Sequence, residues 1–143
     1  MSQSPIEVAK AWVLAYNAKD WDALTATTAS DIVYDEVATQ RVLHGSSDYV
    51  AAAKGWATAF PDSQATFGLT HATGDTVTLE LTWRGTHLGP LQTPNGDVPA
   101  TNKKIEIRAC LVITVADQKV RAARQYFDMV TMLTQLGLSA AGV

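Results

Sequence analysis

Apolar positions first recur at helical spacing, then switch to alternation. Ser4-Pro5-Ile6-Glu7 reads as a capping box with proline at the first helical position. Ile6, Ala9, Val13 and Tyr16 follow on one face, which predicts a helix to about Ala18. Asp20 is placed to cap a shorter helix through Trp21 and Leu24, and Ile32 to Val37 reads as a strand. Ser46 or Ser47 begins a third helix, with Val50, Ala53, Ala57 and Phe60 on one stripe and Tyr49, Ala52 and Trp56 beside it, stopped by Pro61. Beyond Pro61 the period is two. Ala65, Phe67 and Leu69, then Val77, Leu79, Leu81 and Trp83, predict a hairpin about Gly74-Asp75. Residues 87–102 carry Pro90, Pro94, Asn95-Gly96 and Pro99 and read as one long loop, of a length often used as a lid. Ile105, Ile107, Leu111, Ile113 and Val115 form another alternating strand. Asp117-Gln118 turns into a last strand through Val120 and Tyr126, and a short helix with Met129, Met132, Leu133 and Leu136 ends at Gly137.

This order is α+β: three N-terminal helices, a mostly antiparallel sheet and a closing helix, in one domain over residues 1–143. A chain of this length buries roughly two-thirds of its unfolded surface, and 47% hydrophobic with 17% charged residues is ordinary for a globular core. The net charge is -3, and the longest basic stretch is Lys103-Lys104, which argues against nucleic acid as a partner. Cys110 is the one cysteine, so no intrachain disulfide forms. The start has neither a basic region before an apolar core nor a membrane-length run, so a cytoplasmic protein is the expectation.

Alternation puts Val77, Leu79, Leu81, Trp83 and, past Gly85, His87 on one face, and Val120, Ala122, Arg124, Tyr126 and Asp128 on one face of the last strand. A carboxylate among Trp, Tyr and Leu has its charged form disfavoured, which raises its pKa toward the range useful for proton transfer. Asp128 is therefore a candidate base; its plainer role is to cap the last helix, and the two roles can coexist. His87 is a candidate to polarise a carbonyl, or a solvated loop histidine. Of Asp35 and Glu36 one faces inward and is a second candidate base, unless the pair is the solvated charge of an edge strand. Tyr34 and Arg124 are candidates to orient a polar substrate. Trp12, Trp21, Trp56 and Trp83, with Tyr49, offer flat apolar surface for a ring-shaped ligand, although core packing explains such residues equally, and Tyr126 is a further substrate-binding candidate. His44 and His71 stand apart from any ligand spacing, so no metal site is expected. The GxSxG, GxGxxG and GxxxxGK[ST] signatures are absent.

Two passages carry a family resemblance: WRGTHLGPL, residues 83–91, followed by a Pro/Gly loop, and YFDMVTMLTQLGL, residues 126–138. The chain resembles the SnoaL-like polyketide cyclases of the nuclear transport factor 2-like superfamily. The resemblance implies a cone-shaped barrel, a strongly curved sheet with helices packed over an apolar interior. It implies Asp128 as the catalytic acid/base, His87 as its assisting histidine, and intramolecular aldol ring closure without metal or cofactor on a polyketide-like or polycyclic carbonyl substrate. The approach to the Asp departs from the family's charged, Trp-containing pattern, being Ala122-Ala123-Arg124-Gln125-Tyr126-Phe127 here. The segment AWVLAYNAKDWDAL also resembles the ketosteroid isomerases. Their oxyanion-stabilising Tyr aligns with Trp12, a poor replacement for a phenol, and their basic Asp with the Asp35-Glu36 pair. The leading expectation is a cyclase or aldolase-type enzyme. The alternatives are a non-catalytic small-ligand-binding or dimerisation module of the same fold, and an epoxide hydrolase or isomerase. A homodimer is expected, paired through exposed apolar residues of strand 105–115.

Overall fold

The computed structural model describes residues 2–138. Helix α1 (Pro5–Asn17) starts at Ser4, whose hydroxyl accepts from the Glu7 N–H while the Glu7 carboxylate accepts from the Ser4 N–H, the reciprocal pair the sequence predicts. Asp20 caps α2 (Trp21–Thr27) through the Ala23 N–H. Strand β1 (Thr28–Glu36) runs into one 3-10 turn (Val37–Thr39) and β2 (Arg41–His44). Helix α3 (Ser46–Ala59) is preceded by Gly45, at φ +90, instead of by a capping serine. There follow β3 (Gln64–Thr73), β4 (Thr76–Thr86), β5 (Leu91–Thr93), β6 (Gly96–Val98), β7 (Lys104–Ala116), β8 (Lys119–Phe127) and α4 (Met129–Gln135).

Six strands form one sheet in the order β2-β1-β8-β7-β4-β3. All neighbours are antiparallel except β1 and β8, which run parallel because α3 and the long excursion through β3–β7 intervene. The curved, mostly antiparallel sheet packed with helices is the expected α+β fold; its edges are β2 and β3, so the cone does not close into a continuous barrel. The predicted 87–102 loop contains a small hairpin, β5 paired with β6. Strands of three residues interrupted by proline and glycine leave no alternation to read.

The inner face of the sheet packs on α1, α2 and α3, and the main core runs from Val8 and Trp12 through Leu79 and Ile113 to Val120. A second cluster joins Phe60, Leu91, Ile105, Ile107, Met132 and Leu136 and ties the hairpin and α4 to the same end of the sheet. The residues expected to pair two copies, Ile105, Ile107, Leu111, Ile113 and Val115, are all buried inside. The outer face of β7 carries Lys104, Glu106, Arg108, Cys110, Val112 and Thr114 instead. In β3 the register slips between Phe67 and Thr70, and Leu69, expected inside, is exposed.

Candidate active site

Between the curved sheet and the helices α1 and α3 lies a cavity of about 880 Å³ including its open mouth. Its breadth follows from α3, where Ala52 and Ala53 face the space between the larger Tyr49 and Trp56. Five of the expected aromatic residues line it: Trp12, Tyr34, Tyr49, Trp56 and Trp83. Trp12 stacks on Tyr49 with ring centroids 5.0 Å apart, and Tyr34 meets Tyr49 edge-on at 4.9 Å. The Trp12 indole N–H is spent on the Thr28 hydroxyl at 2.9 Å, so this residue offers the cavity a flat surface and no donor.

The carboxylate in the cavity wall belongs to Glu36, which is 1% exposed. Ile32, Tyr34 and Glu36 alternate inward along β1, which sends Asp35 to the outer face, so of the adjacent acidic pair the inward member is Glu36. Three donors hold it. Oε1 accepts from the Thr39 hydroxyl at 2.6 Å and the Arg41 guanidinium at 3.2 Å, and Oε2 from the Trp56 indole at 2.9 Å. The 3-10 turn and β2 exist locally to bring Thr39 and Arg41 back onto the residue that precedes them.

A second polar group crosses the wall from β4 to β1. Trp83 Nε1 donates to Gln125 Oε1 at 2.8 Å, and Gln125 Nε2 donates to the Tyr34 oxygen at 2.6 Å. Burial, and then the nearby Glu36 charge, keep the Tyr34 phenol protonated far above its ordinary range. Burial likewise raises the Tyr49 phenol. A third polar pair, Tyr16 with Ser63 at 2.7 Å, faces the same space.

Arg124, Tyr126 and Asp128 do not line this cavity. The cause is a bulge: Thr114 pairs with Ala122 and Val115 with Val120, leaving Arg121 as an extra residue in β8. One inserted residue reverses the alternation. Val120 points inward before it; Ala123, Gln125 and Phe127 do so after it, and Arg124 and the 44% exposed Tyr126 face out. Asp128 borders a shallow groove on the outer face of the sheet with Tyr126, Cys110 and Glu80. It caps α4, accepting from the Val130 and Thr131 N–H groups and, at 2.7 Å, from the Thr131 hydroxyl. Those bonds, the Thr131 hydroxyl foremost, lower its pKa, the reverse of the rise expected for a carboxylate in an apolar cavity.

His87 is fully buried but stands behind the cavity wall, its ring 5.3 Å from that of Phe60. Nδ1 accepts from the Thr101 N–H at 3.2 Å and faces the Thr101 hydroxyl at 3.0 Å. Its backbone bonds Lys103 and Asn102, so residue 87, through ring and backbone, ties the end of the 88–101 segment back to its start. With Nδ1 accepting, Nε2 carries the hydrogen, and it has no hydrogen-bond partner of ordinary geometry among the described residues. Burial lowers the His87 pKa despite the opposing effect of the Gly89 backbone. A proton is thus bound more readily by the unfolded chain, and stability should fall as pH drops below the unfolded value near 6.5, by up to about 1.4 kcal/mol per pH unit until the folded value is reached. Urea unfolding of wild type and His87→Phe between pH 5 and 7 checks this; the slope attributable to residue 87 should vanish in the variant.

Sequence reasoning missed Gln125, Tyr16 and Ser63 altogether. Counting back by two from Phe127 identifies Gln125, but only once the bulge is known. Among the described residues no group of three His, Cys, Asp or Glu side chains is placed to hold a metal ion, and no helix is long and apolar enough to cross a membrane.

Known structures share this architecture. IdmH from Streptomyces antibioticus, a candidate polyketide cyclase, is 25% identical, with 95% of this chain and 100% of that one covered at a TM-score of 0.80. AclR from Streptomyces galilaeus, a candidate hydroxylase, is also 25% identical, over 93% and 95% of the two chains at a TM-score of 0.78. A protein of ketosteroid isomerase-like fold from Catenulispora acidiphila, solved with trimethylamine, matches at 19% identity over 94% and 95% at 0.79. No curated protein sequence matches the chain. The family model for SnoaL-like polyketide cyclases matches residues 6–136, and the chain belongs to that family.

Proposed function

We propose that this is a cyclase or aldolase-type enzyme acting without a cofactor on a flat, ring-containing carbonyl compound of polyketide-like character, with Glu36 as the group that takes and returns the proton. The observation that carries the reading is a single carboxylate, almost fully buried, in a wall that is otherwise mainly aromatic and aliphatic, with Ser63, Arg84 and Gln125 as its other non-aromatic polar side chains. Each carboxylate oxygen accepts about two hydrogen bonds. Oε1 already has two and Oε2 one, so the remaining lone pair of Oε2 is the position available to a substrate. In the reaction Oε2 removes a hydrogen from carbon beside a carbonyl, and the C–H electron pair moves to make the enolate. The enolate carbon then bonds to a second carbonyl carbon of the same molecule, and the alkoxide so formed receives the proton.

Asp128 is the rival for this role through the family resemblance, and the two are separable. β-Tetralone, a fused-ring ketone with an acidic C–H, is incubated with the protein in deuterated water and exchange at that carbon is followed by NMR. Exchange above buffer that survives Asp128→Asn and is lost in Glu36→Gln supports the assignment. Loss in a folded Asp128→Asn protein, with Glu36→Gln still active, moves the base to Asp128. The three donors already on Glu36 also suit a second reading, a non-catalytic binder of ring ketones. Saturable binding of β-tetralone with exchange no faster than buffer would select it.

A further inference from the structure

An indole N–H can only donate, and the nitrogen of a side-chain amide can only donate. The atom of Gln125 facing Trp83 Nε1 at 2.8 Å must therefore be the amide oxygen, because the flipped amide would set two donors against each other. That leaves Gln125 Nε2 against the Tyr34 oxygen at 2.6 Å, where Tyr34 has to accept. The Tyr34 hydrogen is thereby directed away from Gln125, and Tyr34 has no other hydrogen-bond partner among the described residues. Its neighbours on the other sides are the rings of Trp12 and Tyr49, and the Tyr34 hydroxyl makes no hydrogen bond to that of Tyr49. The open direction is the cavity that Tyr34 lines beside Glu36, two residues along the same strand face and so roughly 7 Å distant along the chain. Register supports the arrangement, since Glu36 and Gln125 are partners across the parallel β1–β8 pair.

We propose that Gln125, held by Trp83, is a positioning residue that turns the Tyr34 hydroxyl hydrogen into the cavity, so that Tyr34 donates to the carbonyl oxygen of the bound compound. This rests on the carbonyl-ligand reading above, but not on Glu36 being the base. The site then presents one fixed donor and one fixed acceptor in an apolar enclosure, which selects a ligand whose carbonyl and acidic C–H are spaced to meet both. It disfavours a ligand carrying only donors. The buried phenol stays protonated and so remains a donor.

The test is the infrared band of carbonyl-labelled β-tetralone bound to saturating protein, read beside the exchange rate. In wild type the band lies below its position in Tyr34→Phe, and exchange in Tyr34→Phe is slower by about 100-fold. Gln125→Glu supplies acceptors to both neighbours, so the Tyr34 hydrogen turns to the new carboxylate; the band should rise to the Tyr34→Phe position and exchange should slow similarly. Trp83→Phe frees the Gln125 amide to flip and should move the band the same way in part, which covers the case that Gln125→Glu does not fold. A band unmoved by Tyr34→Phe, or unmoved in whichever Gln125→Glu or Trp83→Phe protein folds, overturns the proposal. Loss of exchange in Glu36→Gln with an insensitive band leaves Glu36 standing and this inference refuted. The expected band shifts with full exchange in Glu36→Gln do the opposite.

Discussion

Glu36→Gln should slow proton exchange from a bound ring ketone by about a thousandfold, in the middle of the range for a positioned general base. The substitution keeps the side-chain shape and removes the basic oxygen, but it is not silent structurally. Thr39, Arg41 and Trp56 all donate to residue 36. An amide can accept from the first two through its oxygen, and its NH2 group then opposes the Trp56 N–H. One buried donor is left unpaired, at a cost of about 1–3 kcal/mol, which a domain of this size should survive. Circular dichroism and urea unfolding establish that the variant is folded, and saturation with β-tetralone that it still binds. Glu36→Asp retains the charge but withdraws it by one methylene, and should recover part of the rate, because the chemistry needs a carboxylate within reach of carbon. A folded, ligand-binding Glu36→Gln protein with undiminished exchange would remove Glu36 from the reaction.

The elements of the fold were legible because most of them obey one period throughout. The Ser4–Glu7 box, the Asp20 cap and the end of the last helix at Gly137, at φ +74, were each readable from three or four adjacent residues. The 117–118 turn was readable too, and both of its residues adopt the positive φ that a tight hairpin demands. What escaped was short or discontinuous. Arg41–His44 is too brief to alternate visibly, and the β5–β6 hairpin is hidden among prolines.

The site divides along the same line. Its aromatic walls were legible as residue types, and the inward member of Asp35-Glu36 follows from counting by two from Ile32. The last strand misled, because the bulge at Arg121 is fixed by pairing with Thr114 and Val115 of the preceding strand and leaves no mark in the residues of β8. Without it Arg124, Tyr126 and Asp128 would face inward together; with it Gln125 takes their place.

Apart from Trp83, which donates to Gln125, and Arg84 in the cavity wall, the polar contacts of the two passages that carry the family resemblance are made outside the cavity. In the second, Asp128 caps α4 and Gln135 exchanges two hydrogen bonds with the Glu106 backbone, pinning the helix to β7. In the first, Thr86 donates twice to Asp62, His87 is sealed behind Phe60, and the Leu88 and Gly89 N–H groups both donate to the Ala59 carbonyl at the end of α3. The segment therefore satisfies one orphan carbonyl of a helix terminus twice over.

Gly89→Ala should accordingly destabilise the protein by about 2 kcal/mol, within the range for overpacking a tight contact. A β-carbon at residue 89 would collide with the Thr58 carbonyl oxygen and crowd its carbon at 3.1 Å, both backbone atoms that no side-chain rotation can move aside. The cost is one of close approach, since the Gly89 backbone does not need the left-handed region. Relief requires the 87–89 segment to lift from α3, stretching the two bonds to Ala59 and opening the seal over His87. Gly55→Ala is the internal control. It lies within α3, its added methyl would meet only the Gln92 amide oxygen at an ordinary 3.8 Å, and helix propensity predicts a gain of up to about 1 kcal/mol. Thermal unfolding should move the two variants in opposite directions, Gly89→Ala downward by about 8 °C. If Gly89→Ala instead melts with wild type, the segment can shift off α3 at no cost. The GTHLG passage would then not be the clamp that holds this end of the cavity wall.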